Sequence, residues 1–285
     1  MSTINDILYG NFKIPSLFSA LLETPTLKRL ARVHQSGAVF LVNEKIKHHR
    51  LEHSIGVMLL IRKLGGSELE QIAGLLHDLS HTAFSHVGDY IMGNDDESYH
   101  EQLFQERLLN SEIPSLLAQY GYQVADIIQR DFSILEQPLP YLCADRVDYT
   151  LRDAFHFGLI SRKAALDFVA QLELNENKII LKNEEQAAWI TELSKQLNDD
   201  IYQHPRYVFV NTQLAALIKD LLNQGLLTQQ DLFQDDTFLL NKIRSNLKGL
   251  LAIREIKALK AYPKFLRNPH IPAIKKRYLQ VSAYT

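Results

Sequence analysis

The sequence predicts a mainly α-helical protein with one small β-hairpin and a helical C-terminal extension. Two observations predict this fold class: most segments place apolar residues at three- and four-residue steps, and only one short stretch reads clearly as β-strands. The 285 residues are 46% hydrophobic and 22% charged, and Gly and Pro are too few for long disordered tracts. We therefore expect the whole chain to fold around a substantial apolar core.

Two helices are predicted to meet at a tight corner in the first third of the chain. Gly65 and Gly66 end the helix predicted over residues 53–64, and a second helix is predicted over residues 67–81. Ser67 and Glu70 match the Ser-x-x-Glu capping box at the start of this second helix. The second helix should be buried, because one of its faces is apolar and consists of Leu69, Ile72, Ala73, Leu76 and Leu79.

The strand signal lies in residues 172–182, where LELNENKIILK reads as two short strands around a polar turn. Further helices are predicted over residues 184–203, 206–223 and 236–247. We expect residues 1–165 to form the core, and residues 166–285 to pack on it as a helical part of one compact unit.

Cysteine content and hydropathy predict a cytoplasmic protein. The only cysteine, Cys143, cannot form an internal disulfide, and the first residues, MSTINDILYG, lack the basic stretch and apolar run of a secretory signal. Charged or polar residues interrupt every hydrophobic segment before the roughly 20 residues that a membrane-spanning helix needs. No membrane insertion is expected.

Charge is unevenly distributed along the chain. From residue 242 to the carboxyl end, 11 Lys or Arg stand against one acid, Glu255, so this part carries +10 and the rest −12 of a net charge of −2. Such a basic tail can attract nucleic acid or nucleotide phosphates, or it can pair with an acidic face of its own protein or of a second subunit. We favour the second interpretation and keep nucleic acid as the alternative partner.

The first chemical signal is the pair His77-Asp78, which lies on the predicted apolar helix in the run AGLLHDLSHTAFSH. The pair can supply one imidazole nitrogen and one carboxylate oxygen to a cation. Alone it is a weak signal, because a buried histidine that hydrogen-bonds a neighbouring helix is the commoner situation.

Two further residues strengthen the metal hypothesis. His53 lies in RLEHSIGV, and Asp145 lies in YLCADRVDYTLRDAFHFG. Two imidazoles and two carboxylates would leave open coordination positions on Mn, Mg, Fe, Ni or Zn, which activation of a water requires. The alternative is four unrelated core or capping residues.

These runs resemble the HD-domain metal phosphohydrolases, a family named for its His…His-Asp…Asp ligand set. The similarity is greatest to the deoxynucleoside triphosphate triphosphohydrolase branch, which includes the sterile-alpha-motif and HD-domain enzyme. It rests on five runs that occur in that branch's order: TPTLKRLARVHQSGAVFLV, HHRLEHSIGV, AGLLHDLSHTAFSHVGD, ADRVDYTLRD and IYQH. The resemblance implies an HD-domain helical bundle as the core of the chain.

The resemblance also implies roles for individual residues. One divalent metal ion would be held by His53, His77, Asp78 and Asp145. His86, His100 and Asp89 would flank the reacting phosphate, and His86 or His100 would protonate the leaving oxygen. Asp89 can orient an imidazole. His81 would either face the cleft or make a hydrogen bond behind the ligands.

Substrate contacts are implied in the same way. Arg50 and Arg146 would bind phosphate, since a guanidinium offers paired donors to phosphate oxygens, although either could be a surface charge. The family pattern places further residues around the sugar and base: Gln35, Tyr149, Asp153, Tyr202 and Gln203. Without the resemblance, Tyr149 and Asp153, which are one helical turn apart, would be interpreted as a residue at the edge of the core and a residue on a solvent-exposed face.

Two positions depart from the triphosphatase pattern. The family usually carries an Arg eight residues before the Tyr of its Tyr-x-His run and a His four residues before it, and here those places hold Ser194 and Asn198. Fewer cations would face the phosphates unless Lys195 compensates. The departure leaves the metal chemistry intact and makes a shorter phosphate ester an open alternative.

The resemblance implies a nucleotide phosphohydrolase, first of all a deoxynucleoside triphosphate triphosphohydrolase that uses a metal-activated water. One alternative is an HD phosphatase or phosphodiesterase acting on a nucleoside monophosphate, a cyclic nucleotide or a signalling nucleotide. Another is a non-catalytic HD protein that binds nucleotides or nucleic acid, and the complete ligand set argues against it. A homodimer or larger homo-oligomer is also implied.

Overall fold

Sixteen α-helices and two short β-hairpins make up the regular structure in the computed structural model, which describes residues 2–267 and 277–281. The prediction of a mainly α-helical HD-type protein is confirmed. The hairpin of β3 (Leu172–Asn175) and β4 (Lys178–Leu181) lies where the sequence predicts it. A second hairpin, of β1 (Ser2–Asp6) and β2 (Gly10–Ile14), was not predicted, since its short strands carry few apolar residues.

The helices follow one another along the chain with short connections. They are α1 (Ser16–Leu22), α2 (Pro25–Leu30), α3 (Arg50–Lys63), α4 (Glu68–Leu76), α5 (Val87–Met92), α6 (Tyr99–Leu109), α7 (Ile113–Gln119), α8 (Val124–Gln129), α9 (Ala144–His156), α10 (Arg162–Val169), α11 (Glu184–Gln196), α12 (Pro205–Asn223), α13 (Gln229–Leu232), α14 (Asp236–Arg244), α15 (Leu247–Lys257) and α16 (Tyr262–Arg267). A 3₁₀-helix (Gly37–Leu41) precedes α3, and a π-helix (Leu197–Tyr202) joins α11 to α12.

Two apolar clusters hold these helices together. The larger cluster contains side chains of α1, α3, α4, α9 and α11, and the smaller one contains side chains of α5, α12, α14 and α15. The smaller cluster contains residues from before and after residue 165, where the sequence analysis places the boundary between the core and the C-terminal part. That boundary stays a prediction. None of the described helices is long and apolar enough to span a bilayer.

The corner between α3 and α4 differs in detail from the prediction. Helix α4 ends at Leu76 rather than at residue 81, so His77 caps its C-terminus and the residues after it form a turn. The Ser67 hydroxyl accepts from the amide of Glu70, as a capping box requires. The Glu70 carboxylate instead accepts from the amides of Ile134 and Leu135, and so it anchors a distant loop.

Two predicted helices are interrupted. The helix predicted over residues 184–203 changes to the π-helix after Gln196, a feature often found near functional sites. The helix predicted over residues 236–247 ends at Arg244, and α15 begins at Leu247.

Some of the basic residues in the described part of the tail are paired within the protein. Lys242 contacts Asp231, Lys248 contacts Asp220, and each pair lies within the smaller cluster's helices or their connections. These contacts agree with the favoured interpretation of internal pairing. Residues 268–276 and 282–285, which also belong to this tail, lie outside the described residues.

Candidate metal centre and substrate cavity

The predicted site residues converge on one cavity of about 950 Å³. Its walls come from α3, the turn after α4, α5, α6, α9, the π-helix and α12. The predicted residues that line it are Gln35, Arg50, His53, His77, Asp78, His81, His86, His100, Asp145, Arg146, Tyr149, Asp153 and Tyr202. Asp89 and Gln203 are not among the lining residues.

The four predicted metal ligands meet at the inner end of the cavity. His53 Nε2 lies 2.9 Å from Asp145 Oδ1 and 3.8 Å from Asp78 Oδ2. His77 Nε2 lies 3.4 Å from Asp145 Oδ1 and 3.5 Å from Asp78 Oδ1. Ligand atoms bound to one cation at about 2.1 Å are spaced by distances of this order. The arrangement therefore brings together two imidazoles and two carboxylates from three separate helix ends.

The protonation pattern of the two histidines fits a cation. His77 Nδ1 lies 2.8 Å from the carbonyl oxygen of Gly74, and His53 Nδ1 lies 2.8 Å from Asp148 Oδ2. Both acceptors can only accept, so each Nδ1 carries a hydrogen and each Nε2 can present a lone pair. His77 Nε2 is buried and has no hydrogen-bond partner among the described residues. The donor set of these side chains fits a divalent metal ion.

The electrostatics of the centre favour positive charge. Burial opposes a charge on His53, but hydrogen bonds to Asp145 and Asp148 outweigh it and raise the pKa to about 10. In the metal-free protein Nε2 therefore carries a hydrogen, and a bound cation would replace that proton and take the lone pair of Nε2. Burial likewise opposes a charge on Asp78, yet the Arg50 guanidinium and two imidazoles hold the pKa of that carboxyl well below its usual range. A cation among these groups would meet ionised carboxylates.

Asp148 is a functional residue that sequence reasoning missed. Its carboxylate is fully buried and accepts from His53 Nδ1, from the Tyr9 hydroxyl at 2.8 Å and from Arg152 Nε at 2.8 Å. Arg152 is itself buried and also contacts Asp6 and Glu52. The available signal was the position of Asp148, three residues after Asp145 on the same helix face.

The anchored loop places the fourth ligand. The amide of Ala144 donates to the carbonyl of Ile134 at 2.7 Å, and the amide of Asp145 donates to the carbonyl of Leu135 at 3.2 Å. Glu70 holds the amides of the same two loop residues. The N-terminus of α9, where Asp145 lies, is thus tied to the start of α4.

Arg50 connects the metal centre to the cavity wall. Its Nη1 donates to Asp78 Oδ2 at 2.7 Å, and its Nε donates to the Ser85 hydroxyl at 2.8 Å. The Ser85 hydroxyl in turn donates to the carbonyl of His34. Arg50 is therefore a rigid, buried cation beside the ligands.

Three histidines form a second group next to the metal centre. The rings of His81 and His100 stack with centroids 3.8 Å apart, and His86 lies edge-on to both. His86 Nδ1 contacts Asp89 Oδ2 at 3.0 Å, so Asp89 orients this imidazole from behind as predicted. His81 Nε2 and His100 Nδ1 are buried and have no hydrogen-bond partner among the described residues.

Burial determines the charge of these imidazoles. Desolvation, reinforced by Arg277, lowers the pKa of His86 to about 3. Desolvation, reinforced by His86, lowers the pKa of His100 to about 3. Both rings are therefore neutral near pH 7.

Most of the residues predicted to contact sugar and base also line the cavity. Asp153 already has two partners, His48 Nε2 at 2.7 Å and the Tyr202 hydroxyl at 2.7 Å. Gln35 Oε1 is buried without a hydrogen-bond partner among the described residues, so it has an acceptor to offer. His48 is a further residue that the sequence analysis did not select.

Arg146 and Gln203 are placed differently from the other predicted contacts. Arg146 Nη1 donates to the carbonyl of Tyr141 at 2.5 Å, and Nη2 donates to the carbonyl of Gln137 at 3.0 Å. Its phosphate role stays a prediction, with these donors already engaged. Gln203 caps the π-helix and lies outside the cavity lining.

Lys195 does not supply the cation that the departures from the family pattern remove. Its side chain is 60% exposed, pairs with Asp199 and does not line the cavity. The cations that do line the cavity in the described part of the chain are Arg50, Arg146 and Arg277. Arg277 was not selected from the sequence.

Comparisons with known proteins agree with this geometry. The family model described as HD domain matches residues 50–153, which carry all four ligands. A Bacillus subtilis (strain 168) protein, YdhJ, is 42% identical over 245 residues, which cover 85% of this chain and 75% of that protein. The metal-dependent phosphohydrolase cns2 of Cordyceps militaris is 30% identical over 239 residues, which cover 81% of this chain and 69% of that protein.

More distant proteins are also similar. The deoxynucleoside triphosphate triphosphohydrolase SAMHD1 of Homo sapiens is 29% identical over 241 residues, which cover 65% of this chain and 38% of that protein. A crystal structure of a hypothetical protein from Aquifex aeolicus superposes with a TM-score of 0.73 at 23% identity, covering 93% of this chain and 80% of that one, which shows a shared fold. Taken with the ligand geometry, these matches show that the chain belongs to the HD-domain family of metal-dependent phosphohydrolases.

Proposed function

We propose that the protein hydrolyses a phosphoester bond of a nucleotide, by the same chemistry as the deoxynucleoside triphosphate triphosphohydrolases. The observation that carries the proposal is the convergence of two imidazoles and two carboxylates at the inner end of a cavity large enough for a nucleotide. The 29% identity to a deoxynucleoside triphosphate triphosphohydrolase supports the substrate class.

His53, His77, Asp78 and Asp145 would hold one divalent cation. When bound, the cation would acidify a water and polarise the phosphoryl group that the water attacks. Its identity among Mn, Mg, Fe, Ni and Zn stays open to metal analysis of the purified protein. Asp148 and the carbonyl of Gly74 would keep the two imidazoles in the tautomer that ligation needs.

His86 would serve the leaving group. Its Nδ1 hydrogen is held by Asp89, and its Nε2 lies 3.3 Å from Arg277 Nη2, with both side chains lining the cavity. A phosphate anion beside the ring raises the pKa of the imidazole, so His86 can carry a proton on Nε2 and pass it to the leaving oxygen. His100 would occupy the neighbouring position, and His81 would lie between His100 and Asp78, 3.3 Å from Asp78 Oδ1.

The cavity beside the metal centre would hold the nucleoside. Gln35 offers a free buried acceptor, Tyr149 offers an aromatic face and a hydroxyl, and Tyr202 offers an aromatic face. The pair of Tyr202 and Asp153 forms a fixed wall rather than a set of free hydrogen-bonding groups. These contacts suit a sugar and a base.

The Asp78→Ala variant tests the proposal. We expect it to lose turnover of a nucleotide panel with Mn and to lose tight Mn binding in calorimetry, because one carboxylate ligand is gone. Treatment of the unmodified protein with a chelator should abolish turnover, and added metal should restore it. The matched control is Asp126→Ala, an exposed carboxylate paired with Arg130 on α8. Full turnover by a folded Asp78→Ala protein contradicts the proposal.

A second candidate is hydrolysis of a shorter phosphate ester, such as a nucleoside monophosphate, a cyclic nucleotide or a signalling nucleotide. Ser194 and Asn198, at the positions of two cations in the triphosphatase pattern, favour it. Chromatography of the reaction products separates the candidates. Exclusive release of orthophosphate eliminates the triphosphatase version.

A homodimer or larger homo-oligomer is part of the proposal. Light scattering at micromolar concentration checks it, and a strict monomer would dismiss it.

A further inference from the structure

The segment 277–281 reaches the cavity from the C-terminal end of the chain. Its backbone is anchored by the two side chains that depart from the triphosphatase pattern. The Ser194 hydroxyl donates to the carbonyl of Arg277 at 2.9 Å. Asn198 Nδ2 donates to the same carbonyl at 3.1 Å, and Asn198 Oδ1 accepts from the Arg277 amide at 2.9 Å.

Further contacts keep the segment in place. The amide of Leu279 donates to the Ser194 hydroxyl at 3.3 Å, and the Leu279 side chain is buried in the larger apolar cluster. The Tyr278 hydroxyl donates to Asp199 Oδ1 at 2.9 Å. The anchoring contacts involve the backbone of Arg277, so its side chain is free to serve another purpose.

The Arg277 guanidinium lies beside the catalytic histidine group. Its Nη2 is 3.3 Å from His86 Nε2 and 2.5 Å from Glu97 Oε2. Glu97 is buried, with its side chain 3% exposed, while the Arg277 side chain is 21% exposed. Nε and Nη1 of Arg277 have no hydrogen bond to any described residue. The guanidinium is thus oriented on one edge and open on the other.

The other cations of the cavity wall are less available. Arg50 is committed to Asp78 and Ser85, and Arg146 donates to backbone carbonyls. Glu97 adopts a left-handed φ of 54°, a conformation that costs a non-Gly residue energy and is often retained where a side chain must be aimed. Here it directs a carboxylate at Arg277.

We propose that Arg277 binds the phosphate of the substrate and that the C-terminal segment is therefore part of the active site. This inference rests on the proposed phosphohydrolase function. Ser194 and Asn198 do not leave the phosphate end without a cation, because they position one from a segment about 80 residues further along the chain. Arg277 lies next to His86, which is proposed to serve the leaving oxygen, and Nη2 is the nitrogen that faces His86 and Glu97. Its Nε and Nη1 are left to donate to a phosphate, and a guanidinium recognises phosphate oxygens through paired donors.

The Arg277→Gln variant tests the inference without depending on turnover. The probes are inorganic phosphate and inorganic tripolyphosphate, titrated by calorimetry into Mn-loaded protein. We expect Arg277→Gln to bind phosphate at least about tenfold more weakly, with Mn affinity little changed, since the backbone anchors remain. Thermal stability should fall, because the buried Glu97 carboxylate loses its cation, so phosphate affinity is measured on protein that is shown to be folded. The control is Lys195→Gln, which removes an exposed cation outside the cavity and should leave phosphate binding unchanged.

For a second variant we expect the phosphate affinity to change in the opposite direction. Glu97→Gln removes the carboxylate that competes with phosphate for the guanidinium, so phosphate should bind more tightly than to the unmodified protein. If the pair of Arg277 and Glu97 were only structural, both variants would lower thermal stability and neither would move the phosphate affinity. That result overturns the inference, as does tighter phosphate binding by Arg277→Gln, which would mean that Arg277 blocks the site.

The inference and the proposed function fail in different experiments. Absence of hydrolysis across the nucleotide panel would defeat the proposed function. Unchanged phosphate affinity in Arg277→Gln would defeat the inference even if the panel yields a substrate. Where a substrate is found, Arg277→Gln should raise KM more than it lowers kcat, because the lost contact belongs to bound substrate as well as to the transition state.

Discussion

Replacement of Asp148 by Asn tests whether the carboxylate behind His53 controls metal affinity. Asp148 accepts from His53 Nδ1 and Arg152 Nε through Oδ2, and from Tyr9 and Arg152 Nη2 through Oδ1. An asparagine with its oxygen in the Oδ2 position keeps the bond to His53 but loses the negative charge. His53 therefore keeps its orientation and becomes a weaker ligand.

The expected magnitude follows from the contacts that remain. Partners of this kind behind a metal ligand contribute about 10- to 100-fold in metal affinity, or about 1.4–2.7 kcal/mol. Arg152 retains Asp6 at 3.0 Å and Glu52 at 2.9 Å, so its buried charge is not left unpaired. We expect the fold to survive with a loss of about 1–3 kcal/mol of unfolding free energy.

The assay is calorimetric titration with Mn, combined with urea unfolding of the metal-free protein. Asp126→Asn makes the same chemical change on an exposed side chain and should alter neither quantity. A folded Asp148→Asn protein with Mn affinity within about twofold of the unmodified protein would refute the role assigned to Asp148.

Two further predictions concern stability. Gly56→Ala should destabilise the protein by about 1–3 kcal/mol or more in urea unfolding, although Ala normally favours a helix. The reason is that a Cβ at Gly56 would overlap the buried Arg152 and Asp148 side chains. A gain in stability would contradict this packing. Burial, reinforced by His34, lowers the pKa of His49 from 6.5 to about 4. As the pH falls, the unfolded chain therefore binds a proton on His49 before the folded chain does. The contribution of neutral His49 to the free energy of unfolding is complete above pH 6.5 and is lost as the pH falls toward 4. Between pH 7 and pH 4.5, the unfolding free energy of His49→Gln should therefore fall by about 1 kcal/mol less than that of the unmodified protein. If the two proteins gave parallel curves of unfolding free energy against pH, His49 would not be involved.

Local patterns in the sequence were sufficient to predict the helical fold and to select the four proposed ligands. Helical periodicity depends on neighbours three and four residues apart, and the ligand residues lie in runs whose order resembles one family. The β1–β2 hairpin was missed because its two five-residue strands carry a weak apolar alternation. The end of α4 was misplaced because Leu79 continues the apolar spacing beyond Leu76 although the backbone already turns after Leu76.

The tertiary structure alone revealed the partners of the site. Asp148 contacts a histidine 95 residues away, and its spacing from Asp145 indicates a shared helix face but not the partner that it meets. Arg277 reaches His86 across 191 residues, and in the sequence it is one of many basic residues in a charged tail. The residue types that could do the chemistry were readable from the sequence, because chemical type and local spacing are properties of the chain itself. The groups that orient those residues were visible only after folding, because such contacts depend on how distant segments pack together.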